Sequence, residues 1–250
     1  MRYKLSLSYD GSEFCGWQIQ PSDPSVQQTL EDALGRLLGE PTGVTGAGRT
    51  DTGVNAVNYV AHFDCGKPLD CTQLRYKLNA ILPRSIAVQK VSEVPDDFHA
   101  RFDATNREYT YFLHTVKDPF LDSYSLLCTF PLDFNAMNKA AAHLLGEHDF
   151  SCFEKTGADN KTSICTIVRA EWEQYTPAVQ SSPEGSCWKF TISADRFLRN
   201  MVRAIVGTLL EVGRGKRDAD SITELLESHN RSKAGESVPG HALFLSKVEY

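Results

Sequence analysis

Two hydrophobic periods alternate along this chain, and they recur in a similar order in its two halves. A period of two marks a strand with one buried face; a period of 3.6 marks a helix with one apolar stripe. Arg2 to Tyr9 sets Tyr3, Leu5, Leu7 and Tyr9 on one face, with Lys4, Ser6 and Ser8 on the other. A polar loop runs to Pro24, and Ser25 with Gln28 then forms a capping-box pattern. Leu30, Ala33, Leu34, Leu37 and Leu38 follow at helical spacing until Gly39 stops the helix. Val57, Tyr59, Ala61 and Phe63 predict a second strand. Leu74, Leu78, Ile81 and Leu82 predict a second helix halted by Pro83, and Ile86, Val88 and Lys90 a third strand.

The second half repeats the mixture. Asn106 to His114 reads as a strand with Tyr109, Tyr111 and Leu113 on one face. Asp133 is placed to cap a helix carrying Phe134, Met137, Ala141, Leu144 and Leu145, ended by Gly146. Ser163 to Glu173 and Cys187 to Ala194 predict two strands, joined by the Pro- and Ser-rich loop Gln174 to Gly185. The most apolar helix, Phe197 to Val212, ends at Gly213; a short helix near Ile222 to Leu226 and a strand, Leu243 to Glu249, follow. No sequence repeat accompanies this echo. The expected class is α+β, as two α+β lobes covering residues 1–103 and 104–250.

The chain of 250 residues is 41% hydrophobic and 23% charged, which suits a globular protein with a substantial core. Seven cysteines, none spaced C-x-x-C, argue against a disulfide framework and a zinc site and for reduced thiols in the cytoplasm. The N-terminus reads as a strand rather than a signal peptide, and no apolar run reaches membrane-spanning length. The net charge of -6 argues mildly against a nucleic-acid binder. Local charge argues the other way: Arg196, Arg199, Arg203, Arg214, Lys216 and Arg217 stand against only Glu211 between residues 196 and 217.

Chemistry concentrates in Gly46-Ala47-Gly48-Arg49-Thr50-Asp51-Thr52-Gly53-Val54-Asn55-Ala56. Three glycines allow unusual backbone angles and close approach to a ligand. Three readings stay open for this loop. Gly46 and Gly48 can form a phosphate nest, although the P-loop Lys-Ser/Thr pair is missing. Asp51 can close an Asx-turn. Asp51 can also be a reactive carboxylate, kept ionised by nearby cations and able to act as nucleophile or base without a metal.

Other segments supply partners for the third reading. Arg196, Arg199 and Arg203 fall at i, i+3 and i+7 of the expected apolar helix, one stripe of its surface. One such arginine can pair with a carboxylate by a charge-assisted fork, while the others face phosphates. Phe98-His99-Ala100-Arg101 and Arg107-Glu108-Tyr109-Thr110-Tyr111 interleave cations with aromatics, a pattern suited to RNA. His148 and Asp149 lack partners at zinc spacing and read as a loop after a helix.

Taken together, these segments resemble the tRNA pseudouridine synthases of the TruA type. The resemblance rests on Tyr9-Asp10-Gly11 with Gly16 to Gln20, Gly46 to Ala56, Leu78 to Pro83, Phe98 to Arg101, Arg107 to Tyr111, Gly146 to Phe150, Phe197 to Gly207 and Leu243 to Tyr250. It implies an isomerase that converts uridine to pseudouridine in the anticodon stem-loop of tRNA, at positions 38 to 40. It implies Asp51 as the catalytic aspartate, Tyr109 as the ring that stacks on the target base, and Arg203 as the arginine paired with the aspartate. Arg49 aligns with the residue that helps displace the target nucleotide, and Leu243 lies by the pocket floor. Arg101, Arg196 and Arg199 are the candidates for the RNA backbone. The implied fold is α+β, two lobes with a mixed, largely antiparallel sheet and a central basic cleft. The implied assembly is a homodimer without metal or organic cofactor, and without a membrane.

Departures from the family pattern fall at Thr52, Asn55 and Ala242, where the family usually has Ala, His and Gly. The competing expectations are a non-catalytic RNA-binding module of the same fold, which predicts a lost aspartate, and a nucleotide-phosphate enzyme, which predicts a lysine or metal carboxylates near Gly46 and Gly48.

Overall fold

The computed structural model describes residues 1–157 and 162–250. Its elements run β1 (Arg2–Tyr9), α1 (Val26–Leu38), β2 (Val44–Gly46), β3 (Asn55–Asp64), α2 (Cys71–Ile81) and β4 (Ile86–Val94). There follow β5 (Asn106–His114), β6 (Leu126–Leu127), α3 (Phe134–Ala142), β7 (Gly146–Asp149), β8 (Ile164–Gln174) and β9 (Cys187–Ala194). The chain closes with α4 (Met201–Gly213), α5 (Ser221–Ser228) and β10 (Leu243–Glu249). The class is α+β with mostly antiparallel strand pairing. Cα packing divides the chain into Met1–Thr105 with Phe244–Tyr250, and Asn106–Leu243. The closing strand therefore groups mainly with the first hundred residues, not with residues 104–250 as the sequence split had it. No helix among the described residues is long and apolar enough to cross a membrane.

In the first unit β1 pairs antiparallel with both β3 and β4, β2 pairs antiparallel with β3, and β10 runs parallel to β3. The period-two pattern of β1 is realised: Tyr3, Leu5, Leu7 and Tyr9 are all buried. Tyr3 stacks on Phe63 with ring centroids 5.5 Å apart. Ser25 caps α1 by accepting the Gln28 N–H, and Gly39 ends it at φ 81°. Only half of the capping box forms, because the Gln28 amide turns to Asp32 instead. Val26, Leu30 and Leu34 of α1 are fully buried, each worth about 1.5–3 kcal/mol relative to exposure.

Two strands depart from strict alternation. Leu7 faces Tyr59 but Tyr9 faces Ala56, so β3 carries one extra residue and Val57 is turned out to solvent. A bulge of this kind leaves one residue unpaired and re-aims its neighbours. In β4 a similar shift moves the buried parity from Val88 to Val91 and leaves Lys90 exposed. The short β2 had no signal of its own; three residues are too few to show a period.

In the second unit β5, β9, β8 and β7 pair antiparallel in that order, with β6 parallel to the end of β5. Tyr109 stands opposite Ile192 and Tyr111 opposite Phe190. Gly146 to Asp149, expected as loop, is the edge strand β7 paired to β8. The apolar helix also needs correction. It begins at Met201, not Phe197, because Asn200 takes a left-handed conformation at φ 65° that a helix does not continue through. Leu198 is buried without being helical, so its apolar signal reports tertiary packing. Asparagine is among the few non-glycine residues that visit this region readily. The three arginines consequently do not share a helical stripe: Arg203 lies on α4, whereas Arg196 and Arg199 precede it.

Candidate active site

The loop from Gly46 to Ala56 connects β2 to β3, and a distant segment holds it in place. The Trp17 N–H donates to the Thr50 carbonyl at 3.3 Å, and the Gly53 N–H to the Phe14 carbonyl at 3.3 Å. The Gly11 N–H donates to Asn55 Oδ1 at 2.7 Å. The Tyr9 hydroxyl shares a 2.9 Å hydrogen bond with Thr50 Oγ1. Gly16, at φ 90°, has no room for a side chain: a Cβ there would sit 2.3 Å from the Thr50 carbonyl oxygen. The loop and the Gly11–Trp17 segment thus meet backbone to backbone.

Beneath the loop lies an aromatic box. Trp17 stacks on Tyr59 at 4.1 Å, and Tyr9 lies tilted against Tyr59 at 5.5 Å. The Tyr59 hydroxyl donates to the Gly48 carbonyl. These contacts weigh against the phosphate nest. The Ala47 N–H is committed to the Val60 carbonyl at 2.8 Å, and the Gly48 N–H faces the Tyr59 hydroxyl at 3.4 Å. A Cβ on Gly46 would come within 2.2 Å of that hydroxyl and 2.6 Å of the Trp17 ring, so this glycine serves internal packing. Gly48 alone of the two faces open space.

Asp51 sits at the crest. Thr50 before it is buried, Arg49 is exposed, and Asp51 itself is half-buried. Its carbonyl accepts the Val54 N–H at 3.1 Å, closing a turn whose third residue, Gly53, stands at φ 75°. That angle is what a type II turn demands of glycine. The outcome is a short carboxylate side chain on a backbone tied down on both sides.

The second unit carries Tyr109, Arg203, Arg199, Arg196 and Leu243. Tyr109 is half-buried on β5, its ring edge-on to Phe197 at 5.1 Å. Arg203, in the first turn of α4, donates from Nε to the Val238 carbonyl at 2.7 Å, and the Val238 N–H returns to the Arg203 carbonyl at 3.2 Å. Segment 235–238 reaches the helix because Gly207 leaves it bare; a Cβ there would lie 1.7 Å from the Glu236 carbonyl oxygen. The side chain of Thr208 accepts the Gly235 N–H at 2.9 Å on the same face. Arg199 is exposed and Arg196 half-buried. Leu243 is buried, its N–H donating to the Gly240 carbonyl at 2.9 Å.

Arg101 is exposed in the first unit, its guanidinium 5.7 Å from the Phe102 ring. Its segment is anchored by buried His62, whose Nδ1 accepts the Ala100 N–H at 3.1 Å. Burial, with the charges of Arg2 and His99, holds the His62 imidazole down to about 4. His148 and Asp149 are in structural use: His148 Nε2 bonds the Leu145 carbonyl at 2.9 Å and Asp149 accepts the Ser151 N–H at 2.8 Å. No group of three or more His, Cys, Asp or Glu side chains among the described residues is arranged to hold a metal.

Sequence reasoning did not single out Tyr9, Trp17, Asn55 and Tyr59 as supports of the loop, nor segment 235–238 as the support of Arg203. The signal that pointed to Tyr9 and Trp17 was the run Tyr9-Asp10-Gly11 with Gly16-Trp17, which carries part of the family resemblance. Asn55, one of the departures, is the side chain that ties Gly11.

A family model described as tRNA pseudouridine synthase matches residues 6–103 and 140–250. Over 250 residues the chain is 53% identical to the tRNA pseudouridine synthase A of Bacteroides fragilis, covering 100% of this chain and 96% of that protein. It is 51% identical over 252 residues to that of Parabacteroides distasonis, covering 100% and 96%. It is 47% identical over 251 residues to that of Porphyromonas gingivalis, covering 100% and 97%.

Proposed function

The chain belongs to the tRNA pseudouridine synthase family, an isomerase family of the TruA type, and from that premise we propose that Asp51 is the carboxylate through which it isomerises uridine to pseudouridine in tRNA. The observation that carries this reading is the Asp51 loop. A half-buried acid is presented on a backbone clamped by Gly16, Trp17 and Tyr9, while the flanking arginine faces solvent.

The reaction breaks the C–N glycosidic bond and rejoins the same base through C5. Product and substrate are isomers, so atoms and electrons balance without a co-reactant. The target base must leave its stack, at a cost of a few kcal/mol. Stacking on an aromatic face returns about 1–3 kcal/mol per base, the role proposed for Tyr109. Its edge-on contact with Phe197 fixes the plane of that platform. Arg203 is the proposed cation of the reaction. Its Nε bond to Val238 sets the plane of the guanidinium, and planar forks match carboxylates best. Asp51 then acts at the sugar, by attack on C1′ or by assisting formation of a glycal. Arg49 helps displace the target nucleotide, and Leu243 lines the pocket floor. Arg101, Arg196 and Arg199 supply contacts to phosphates, where cations position RNA without reading its sequence.

The same reading takes the anticodon arm, at positions 38 to 40, as the site of modification, a homodimer as the assembly and the cytoplasm as the compartment. Family likeness supports these three.

The test is incubation with unmodified tRNA and mapping of pseudouridine by chemical probing, alongside Asp51→Asn. Product at anticodon-arm uridines with the native chain and none with the variant is expected. Binding of tRNA without product from the native chain would favour the RNA-binding module, and full turnover by Asp51→Asn would remove Asp51 from the chemistry.

A further inference from the structure

We infer that the Thr50 hydroxyl, through its buried bond to Tyr9, is a positioning residue for Asp51 and sets the rate of the chemical step rather than the affinity for RNA. The inference rests on the assignment of Asp51 above. An aspartate has two side-chain torsions, so the position of its carboxylate follows closely from the position of its own Cα. The residue that controls that Cα is the one before it. Thr50 is held at two independent points: its carbonyl accepts the Trp17 N–H at 3.3 Å, and its hydroxyl shares a 2.9 Å bond with the Tyr9 hydroxyl. Gly16 closes on the same carbonyl so tightly that a Cβ would approach within 2.3 Å.

The two points divide the work. The backbone contact fixes where the Thr50–Asp51 peptide lies. The hydroxyl bond fixes its rotation, because Tyr9 cannot shift: it is the last residue of β1, its ring packed on Tyr59 and Trp17. Thr50 is buried and Asp51 half-buried, so the tie works from inside the protein on a group that is partly exposed. A catalytic group must be held to within about 0.5 Å of its working position. A misplacement near 1 Å costs on the order of 100-fold in rate. Neither hydroxyl reaches solvent in this arrangement, so their loss changes geometry without removing a surface that RNA can touch.

Thr50→Val removes the hydroxyl and keeps the side-chain shape; Thr50→Ser keeps the hydroxyl. Single-turnover conversion of tRNA by Thr50→Val is expected to slow about 10- to 100-fold. The dissociation constant for tRNA should stay within about threefold, and Thr50→Ser should recover most of the rate. A Thr50→Val rate within about twofold of the native chain overturns the inference. So does a loss that Thr50→Ser fails to recover. If Thr50→Val does not fold, Tyr9→Phe reads the same bond from the other side, with the ring packing retained, and the same split between rate and affinity is required. Asp51→Asn run in parallel separates this inference from its premise: an active Asp51→Asn sinks the premise, whereas an inactive Asp51→Asn beside a fully active Thr50→Val sinks only the role of Thr50.

Discussion

The loop around Asp51 and the segment from Asp195 to Asn200 look alike in sequence and differ in construction. Both are short, both follow a strand, and both mix arginine with one acid. Around Asp51 the ties come from remote parts of the first unit, and side-chain atoms of Tyr9, Asn55 and Tyr59 make several of them. Between Asp195 and Asn200 the backbone is pinned near its ends. Asp195 exchanges bonds with Thr166 at 3.2 and 2.8 Å, and the Arg199 carbonyl accepts the Lys155 N–H at 3.0 Å. The Arg199 side chain is left to solvent. The difference suits different tasks. A reacting carboxylate must be placed before the substrate arrives, because placement lowers the barrier only if it costs nothing at the moment of reaction. A phosphate contact needs charge and reach, which an exposed arginine supplies.

The comparison breaks most sharply at Asp51. Asp51→Asn should lower turnover by at least about 1000-fold while tRNA affinity changes little. A parallel loss of binding would make the loop an RNA-contact element like the other. Next in size is the acid response of the first unit. Unfolded histidine titrates near 6.5, whereas His62 is held down to about 4, first by burial. Between those values the unfolded chain takes up a proton that the folded chain refuses. The contribution of His62 is therefore complete above about pH 6.5 and is lost as pH falls toward 4, on the order of 3 kcal/mol. His62→Gln keeps an acceptor for Ala100 but cannot titrate, and its urea midpoint should depend less steeply on pH across that window. An unchanged dependence would remove His62 as a support.

In the second region the effects are smaller. Asn200→Ala forces an ordinary side chain to φ 65° and should destabilise the protein by about 1–2 kcal/mol. Asn200→Gly avoids that strain, so equal losses in thermal or urea denaturation would show that the start of α4 is not set by backbone conformation. The smallest effect is expected at Arg199. Arg199→Ala should reduce the slope of log affinity against log salt by about 1 without slowing single-turnover conversion at saturating tRNA. An identical slope would take Arg199 out of the phosphate contacts.

Much of this architecture is legible in local pattern. The period of β1, the Ser25 cap, the stop at Gly39, the Asp133 cap and the span of β10 follow from residues within one turn or one pleat of each other. What the pattern misses has long-range causes. Val57 faces outward because β3 bulges against β1, which no reading of β3 by itself reveals. Phe197 and Leu198 continue an apolar run that packs as irregular chain, because burial in a tertiary setting produces the same residue types as a helix face. The prominence of Asp51 is likewise visible in the glycine-rich run, but the purpose of each glycine is not: Gly46 makes room for Tyr59 and Trp17, Gly53 turns the chain, and Gly48 faces open space.

By itself, then, the amino-acid sequence determined the α+β class, most element boundaries and the family, and it singled out Asp51 as the candidate carboxylate, because local periodicity, capping and one dense motif suffice for these. Tertiary structure decided which residues hold the loop that carries Asp51. Tyr9, Gly11, Gly16 and Trp17 meet the loop across separations of roughly 33 to 44 residues, and a hydrogen bond between such distant positions leaves no period and no spacing to read; it exists only once β1, β3 and the intervening segment have folded together.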